Sequence, residues 1–168
     1  MAEEIINRVA NSKLKTIDLE DFYPKGQRIL FDISDWLMEG LVLREKDFRN
    51  YVAEHDWSQY KDCYVALHCS TDAIVPDWAY MLISVQLQEY SKLTVIGNLK
   101  TLESILFAEI ISKINVSEYK GLPVIIKGCS NKPVPANALV LLTQKLKPIA
   151  KSIMFGEACS FVPLFKHK

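Results

Sequence analysis

The chain of 168 residues has only four cysteines and six glycines, and it lacks the local motifs that usually identify an activity. No C-x-x-C pair occurs, which excludes the zinc ribbons and dithiol redox sites that are identified by that spacing. Neither a G-x-G-x-x-G nor a P-loop lysine pattern is present, so we expect no nucleotide cofactor. A G-x-S-x-G nucleophile elbow is also missing. The function must therefore depend on how the fold places isolated residues.

Neither sign of charge dominates, because 20 Lys and Arg balance 20 Asp and Glu. Without a basic excess, we expect no binding to nucleic acid. No apolar run approaches the roughly 20 residues that a membrane-spanning helix needs, so no membrane association is expected. The chain begins Met-Ala-Glu-Glu, with acids where a secretory signal carries positive charge. We therefore expect a cytoplasmic protein whose thiols stay reduced.

Alternating strand and helix patterns predict an α/β fold with a single domain over residues 1–168. We predict strands at 15–19, 27–33, 63–68, 93–96, 123–127, 153–155 and 161–165, and helices at 3–10, at 44–55 and after Pro76, Gly97 and Pro135. In the helix after Pro76, the spacing of Trp78, Leu82 and Val85 predicts one face. Helices of this length between strands imply parallel pairing through right-handed crossovers. We expect three layers: one mainly parallel sheet, with helices on both faces and antiparallel strands at its edges.

Three of the four cysteines stand where a predicted strand ends and a loop begins: Cys69, Cys129 and Cys159. The carboxyl ends of parallel strands meet at one edge of an α/β sheet, which is where such folds bind ligands. Cys63 begins the strand that Cys69 ends, and at ~3.3 Å per residue the two lie roughly 20 Å apart. We therefore set Cys63 aside. Adjacent strands are ~4.8 Å apart, so neighbouring strand ends can bring three sulfurs to one ion.

Metal binding is the first interpretation of these cysteines. Three thiolates with one further ligand suit zinc, and three thiolates also hold an iron–sulfur cluster with one open corner. The candidates for the fourth position are Glu157, two residues before Cys159, and Asp72, three residues after Cys69. The sequence predicts a metal- or cluster-binding accessory protein with Cys69, Cys129 and Cys159 as ligands.

Two other interpretations stay open. Cys129 follows Gly128 and has Lys127 and Lys132 nearby, and positive charge favours a thiolate. A sulfur-transfer enzyme would use such a thiol as its nucleophile. Alternatively, the cysteines pack as small hydrophobes, and the chain is a non-catalytic protein-interaction module.

Several segments resemble an uncharacterised bacterial family that is known only as a domain of unknown function, and the similarity extends over nearly the whole chain. The most specific segments carry the cysteines, and the full set is Phe31–Ile33, Asp35–Leu37, Glu45–Arg49, Cys69–Pro76, Trp78–Met81, Lys127–Cys129 and Gly156–Ser160. The resemblance implies a small cytoplasmic protein of unassigned activity. It also implies an encoding gene beside those of iron–sulfur cluster assembly, and so iron–sulfur assembly proteins as partners. This chain has Ala158 where related sequences carry proline.

Overall fold

The structure is a computed structural model that describes residues 13–128 and 131–167. The predicted helix at 3–10 and the predicted ligand Cys129 lie outside the described residues. The strands in the described part are β1 (Lys15–Ile17), β2 (Arg28–Asp32), β3 (Tyr64–His68), β4 (Leu93–Ile96), β5 (Pro123–Lys127), β6 (Ser152–Glu157) and β7 (Ser160–Lys166). The α-helices are α1 (Glu45–Glu54), α2 (Asp77–Leu87), α3 (Leu99–Lys113) and α4 (Ala136–Leu146). Single-turn 3-10 helices occupy Leu19–Phe22, Ile33–Trp36, Trp57–Tyr60 and Ser117–Tyr119. The predicted α/β fold is confirmed.

The described strands form two sheets. One has the order β1-β5-β6-β7 and the other β2-β3-β4. All pairs are parallel except β6 with β7, so the mainly parallel pairing with an antiparallel edge is confirmed. The division into two sheets corrects the expected single sheet. None of the residues of β4 is fully buried and Ile96 is exposed, because β4 is an edge strand that does not continue to β5.

The contacts within the chain divide it into two compact units. We call Pro24–Leu106 the three-stranded unit, and Met1–Tyr23 with Phe107–Lys168 the four-stranded unit. The single domain over residues 1–168 stays a prediction.

The three-stranded unit has helices on both faces of its sheet. One face packs against α1 and α2 in a core that includes Phe31, Val65, Leu67, Phe48, Val52, Ala79, Ile83 and Leu87. On the other face, Nε of Arg28 donates a hydrogen bond of 2.6 Å to Oε1 of Glu103 in α3. The helices around this sheet therefore make the three layers that the sequence predicts. The predicted face of α2 is only partly confirmed. Trp78 and Leu82 are partly buried against the core, but Val85 is exposed and the fully buried residues are Ala79, Ile83 and Leu87.

The four-stranded unit has its core between β5 and the helices α3 and α4. The fully or nearly fully buried residues of this core include Val124, Ile126, Phe107, Ile111, Leu142 and Leu146. Helix α4 ends at Leu146, shortly before Pro148, because proline cannot continue the hydrogen-bonded helix. None of the described helices has both the length and the apolar character needed to cross a membrane.

Candidate functional site

The parallel strands of the four-stranded unit end at a common edge, at Ile17, Lys127 and Glu157. The ammonium of Lys127 donates a hydrogen bond of 2.7 Å to Oδ2 of Asp18, the residue after β1. Burial opposes ionisation of Asp18, but this bond and one from the backbone N–H of Glu20 outweigh it and lower the pKa of Asp18. The hydrogen bond to Asp18 also raises the pKa of Lys127. A fixed ion pair therefore borders this edge.

Two glycines let the ends of β5 and β6 approach each other closely. A Cβ on Gly128 would lie 3.1 Å from Cζ of Phe155 and 3.3 Å from Cα of Gly156, which is tighter than side chains normally pack. Gly156 has φ +131°, and a Cβ there would lie 2.6 Å from the carbonyl oxygen of Ser160. Gly156 therefore requires glycine, and at Gly128 any side chain would need Phe155 or the backbone of β6 to shift. The chain thus passes to Cys129 directly from a residue in contact with β6.

Cys159 lies in the short turn that joins β6 to β7. Glu157 pairs with Ser160 across this hairpin, and Cys159 between them is an exposed free thiol. After the larger effect of Asp18, the negative charge of Glu157 also raises the pKa of Lys127. The structure therefore brings two predicted site residues, Cys159 and Glu157, to the edge that Lys127 occupies.

Asn131 and Lys132 contact the segment that follows β1. The backbone N–H of Asn131 donates to Oε2 of Glu20 at 3.2 Å, and Nζ of Lys132 donates to the carbonyl oxygen of Glu20 at 3.2 Å. Together with the bond between Lys127 and Asp18, these contacts hold the chain on both sides of residues 129–130.

Cys69 follows β3, so it belongs to a different sheet from β5 and β6. Its Sγ lies 3.3 Å from Oγ1 of Thr71, and the hydroxyl of Thr71 donates to the carbonyl oxygen of Gly40. Because a hydroxyl has only one proton to donate, the thiol is the donor in its bond to Thr71. Cys69 is partly buried against the core of the three-stranded unit. Cys69 is therefore not brought close to Cys159 by adjacent strands of one sheet, as the sequence predicted.

The predicted fourth ligands differ in their surroundings. Glu157 lies at the edge described above, whereas Asp72 is exposed and lines an open groove with aliphatic side chains. Within residues 13–128 and 131–167, no three His, Cys, Asp or Glu side chains lie close enough together to hold a metal ion. Because Cys129 is outside these ranges, the three-thiol site stays a prediction. Cys63 is buried in the core of the three-stranded unit.

A polar cluster that the predicted site residues did not include lies at the ends of β2 and β3. Asp32 and His68 are register partners, with Nε2 of His68 3.7 Å from Oδ2 of Asp32. Oδ1 of Asp32 accepts hydrogen bonds from the backbone N–H of Ser34 at 3.0 Å and of Ser70 at 3.1 Å. Burial opposes ionisation, but hydrogen bonds from Ser70 and Ser34 outweigh it and lower the pKa of Asp32 to about 2. Asp32 and His68 each end an apolar strand segment in the sequence. Their position at these strand ends is the sequence feature from which the cluster could have been predicted.

Comparison with known proteins adds a family but no described activity. No curated protein and no solved structure matches this chain. Residues 3–167 match the family DUF2480, which is described as a protein of unknown function. The predicted resemblance to an uncharacterised family of this kind is confirmed, while the bacterial source and the gene neighbourhood stay predictions. With nearly its whole length matched, the chain belongs to the DUF2480 family of proteins of unknown function.

Proposed function

We propose that this protein is a metal- or iron–sulfur-cluster-binding accessory protein whose site lies at the carboxyl edge of the four-stranded sheet. Cys129 and Cys159 would supply thiolates, and Glu157 a carboxylate oxygen. The observation that carries the proposal is the close approach of β5 and β6 at Gly128 and Gly156. Gly128, the residue before Cys129 in the sequence, therefore lies close to β6, which ends at Glu157, two residues before Cys159.

The number of thiolate ligands distinguishes a zinc site from an iron–sulfur cluster. Two thiolates and a carboxylate suit zinc and leave a position for water or a further ligand. An iron–sulfur cluster is normally held by more thiolates than these two, so Cys69 or a partner protein would have to complete it. Iron–sulfur assembly proteins are the partners that we propose in that case. Cys69 and Asp72 stay in the proposal as ligands that the experiment tests.

Lys127 and Lys132 favour a second function at the same edge, sulfur transfer. They stand two residues before and three residues after Cys129, and a positive charge nearby stabilises a thiolate. The Cys129 thiolate would attack the outer sulfur of a donor persulfide. This step forms a Cys129 persulfide and releases the donor as a thiolate.

Elemental analysis and a visible spectrum of anaerobically purified protein test the first function. We expect zinc, or iron with charge-transfer absorption, in the wild type and loss of most of this metal in Cys129→Ala and in Cys159→Ala. Cys63→Ala is the matched control and should keep its metal, since that thiol is buried in the core of the three-stranded unit. Cys69→Ala distinguishes a two-thiol from a three-thiol site. Full metal content in the Cys129→Ala/Cys159→Ala double variant would contradict the proposal.

Alkylation of the cysteines at neutral pH, followed by peptide mass spectrometry, tests sulfur transfer. Metal-free protein in which Cys129 reacts much faster than Cys159 and Cys63 would support this second function. Equal and slow rates would contradict sulfur transfer. If the purified protein also carries no metal, a non-catalytic interaction module is the interpretation that stands.

A further inference from the structure

The loops that follow β2 and β3 are joined by hydrogen bonds. Asp32 accepts from the backbone N–H of Ser70, and the hydroxyl oxygens of Ser34 and Ser70 lie 3.0 Å apart. Further along the loops, the hydroxyl of Thr71 donates to the carbonyl oxygen of Gly40. These contacts fix the two loops relative to each other.

The first loop ends in a tight turn, which is closed by two reciprocal backbone hydrogen bonds between Met38 and Val42. The N–H of Met38 donates to the carbonyl of Val42 at 2.9 Å, and the N–H of Val42 donates to the carbonyl of Met38 at 3.1 Å. Glu39 and Gly40 have φ values of +52° and +70°, a conformation that tight hairpin turns use. The turn is therefore preformed, with Leu41 within it and Val42 at its closing pair.

An open apolar groove of about 430 Å³ lies between this turn and the loop that precedes α2. Three aliphatic side chains of its lining are exposed, Leu41 by 55%, Val42 by 49% and Ile74 by 93%. The rest of the lining is Leu43, Asp72, Ala73 and Pro76. Contiguous exposed apolar surface is typical of interaction sites.

Every charged residue in the two loops is acidic. Residues 34–43 and 69–77 contain Asp35, Glu39, Asp72 and Asp77, which are all exposed, and no lysine or arginine. The first basic residue beyond them is Arg44, just before α1. Asp72 lines the groove, and Glu39 and Asp77 stand within two residues of lining residues in the sequence. We call these three residues the acidic rim.

We propose that the groove docks a segment of another protein in which aliphatic side chains are flanked by lysine or arginine. The fixed loops lower the entropy lost on binding, and the aliphatic lining removes the apolar side chains of the segment from water. The acidic rim attracts its positive charges and repels acidic segments. Asp72 is also a candidate ligand in the proposed function, but docking requires neither a metal nor a reactive thiol, and Ile74→Ser tests it at a residue that is no candidate ligand.

Methyl NMR of the full chain with two synthetic peptides tests this proposal. One peptide has leucine pairs flanked by lysine, and the other has glutamate in place of each lysine. We expect the methyl signals of Leu41, Val42 and Ile74 to shift with the lysine peptide only. These shifts should shrink in 1 M sodium chloride, where the Debye length is about 3 Å.

Two variants separate the apolar and the charged parts of the groove. Ile74→Ser removes an exposed apolar contact and Asp72→Lys reverses a rim charge, and each should weaken binding of the lysine peptide by roughly tenfold. Val140→Ser is the matched control, since Val140 is 54% exposed on α4 in the four-stranded unit. Equal responses to both peptides, no response to either, or unchanged binding by Ile74→Ser would overturn the proposal. A concentration-dependent dimer that Ile74→Ser abolishes would assign the groove to a second copy of this chain instead.

Discussion

Asp18 and Asp32 occupy equivalent places in the two units. Each lies at the end of a parallel strand and accepts a hydrogen bond from the backbone N–H two residues later, which caps a 3-10 turn. Each also accepts a hydrogen bond from the end of the neighbouring strand or its loop, from Lys127 for Asp18 and from Ser70 for Asp32. A short carboxylate at this place therefore joins a turn to the adjacent strand.

Replacing Asp32 with asparagine should lower the free energy of unfolding by about 1–2 kcal/mol at pH 7. The pKa of Asp32 is lowered from 3.8 to about 2 in the folded chain. The stability that its charge contributes is therefore present above pH 3.8 and is lost as the pH falls towards 2. Denaturant unfolding at a series of pH values between 7 and 3 measures the difference.

Asp35→Asn is the matched control for this series, because Asp35 lies in the same turn and is exposed. Its stability should stay close to that of the wild type throughout. A deficit in Asp32→Asn that is as large at pH 3 as at pH 7 would show that its charge is not the cause.

At the scale of elements, the hairpin of β6 and β7 depends on Gly156. Gly156→Ala should destabilise the protein by about 1–3 kcal/mol, since it would force a Cβ into a backbone conformation that alanine avoids. That Cβ would also lie 2.6 Å from the carbonyl oxygen of Ser160. Thermal or denaturant unfolding measures the loss.

Gly121 offers the comparison for Gly156. It has φ +70°, but a Cβ there would meet no atom within 4 Å, so Gly121→Ala should cost only about 1 kcal/mol. If the two alanine variants were equally stable, the close approach at the hairpin would not be a source of strain.

Helix α2 shows why its buried face could not be predicted from spacing. The sequence indicated Trp78, Leu82 and Val85. Trp78 and Leu82 are only partly buried against the core, Val85 is exposed, and the fully buried residues are Ala79, Ile83 and Leu87. After its first residue, α2 has no charged side chain, so apolar residues recur on every side of the helix. The periodicity of apolar residues then predicts a helix but does not predict which of its faces packs against the core.

At the scale of the whole molecule, strand order is the feature that the sequence could not supply. Periodicity locates each strand and the intervening helices set its direction, but the pairing of β1 with β5 joins residues as far apart as Thr16 and Ile125. Packing between such distant segments decides which strands are neighbours. The candidate site depends on this order. The positions of Cys69 and Cys159 at strand ends were predictable, but the separate sheets that carry them were not.

Truncating the core of one unit should reduce hydrogen-exchange protection mainly in that unit. Leu142 is fully buried in the four-stranded unit, so Leu142→Ala should cost about 2–5 kcal/mol. We expect amides of β5 and β6 to lose protection while those of β3 keep theirs, because compact contact units tend to open separately.

Ile83→Ala is the reciprocal variant, since Ile83 is fully buried in the three-stranded unit. It should affect β3 and spare β5 and β6. Equal loss of protection in both units would contradict separate opening and would support the single domain over residues 1–168.

The three-stranded unit interrupts the four-stranded unit in the sequence. The chain leaves the four-stranded unit after Tyr23 and returns to it at Phe107, and the ring centroids of these two residues are 6.0 Å apart. The two ends of the interruption therefore meet, which is the arrangement that tolerates insertion of one domain into another. A short linker from Tyr23 to Phe107 would therefore be long enough to leave β1 paired with β5 in a chain without residues 24–106.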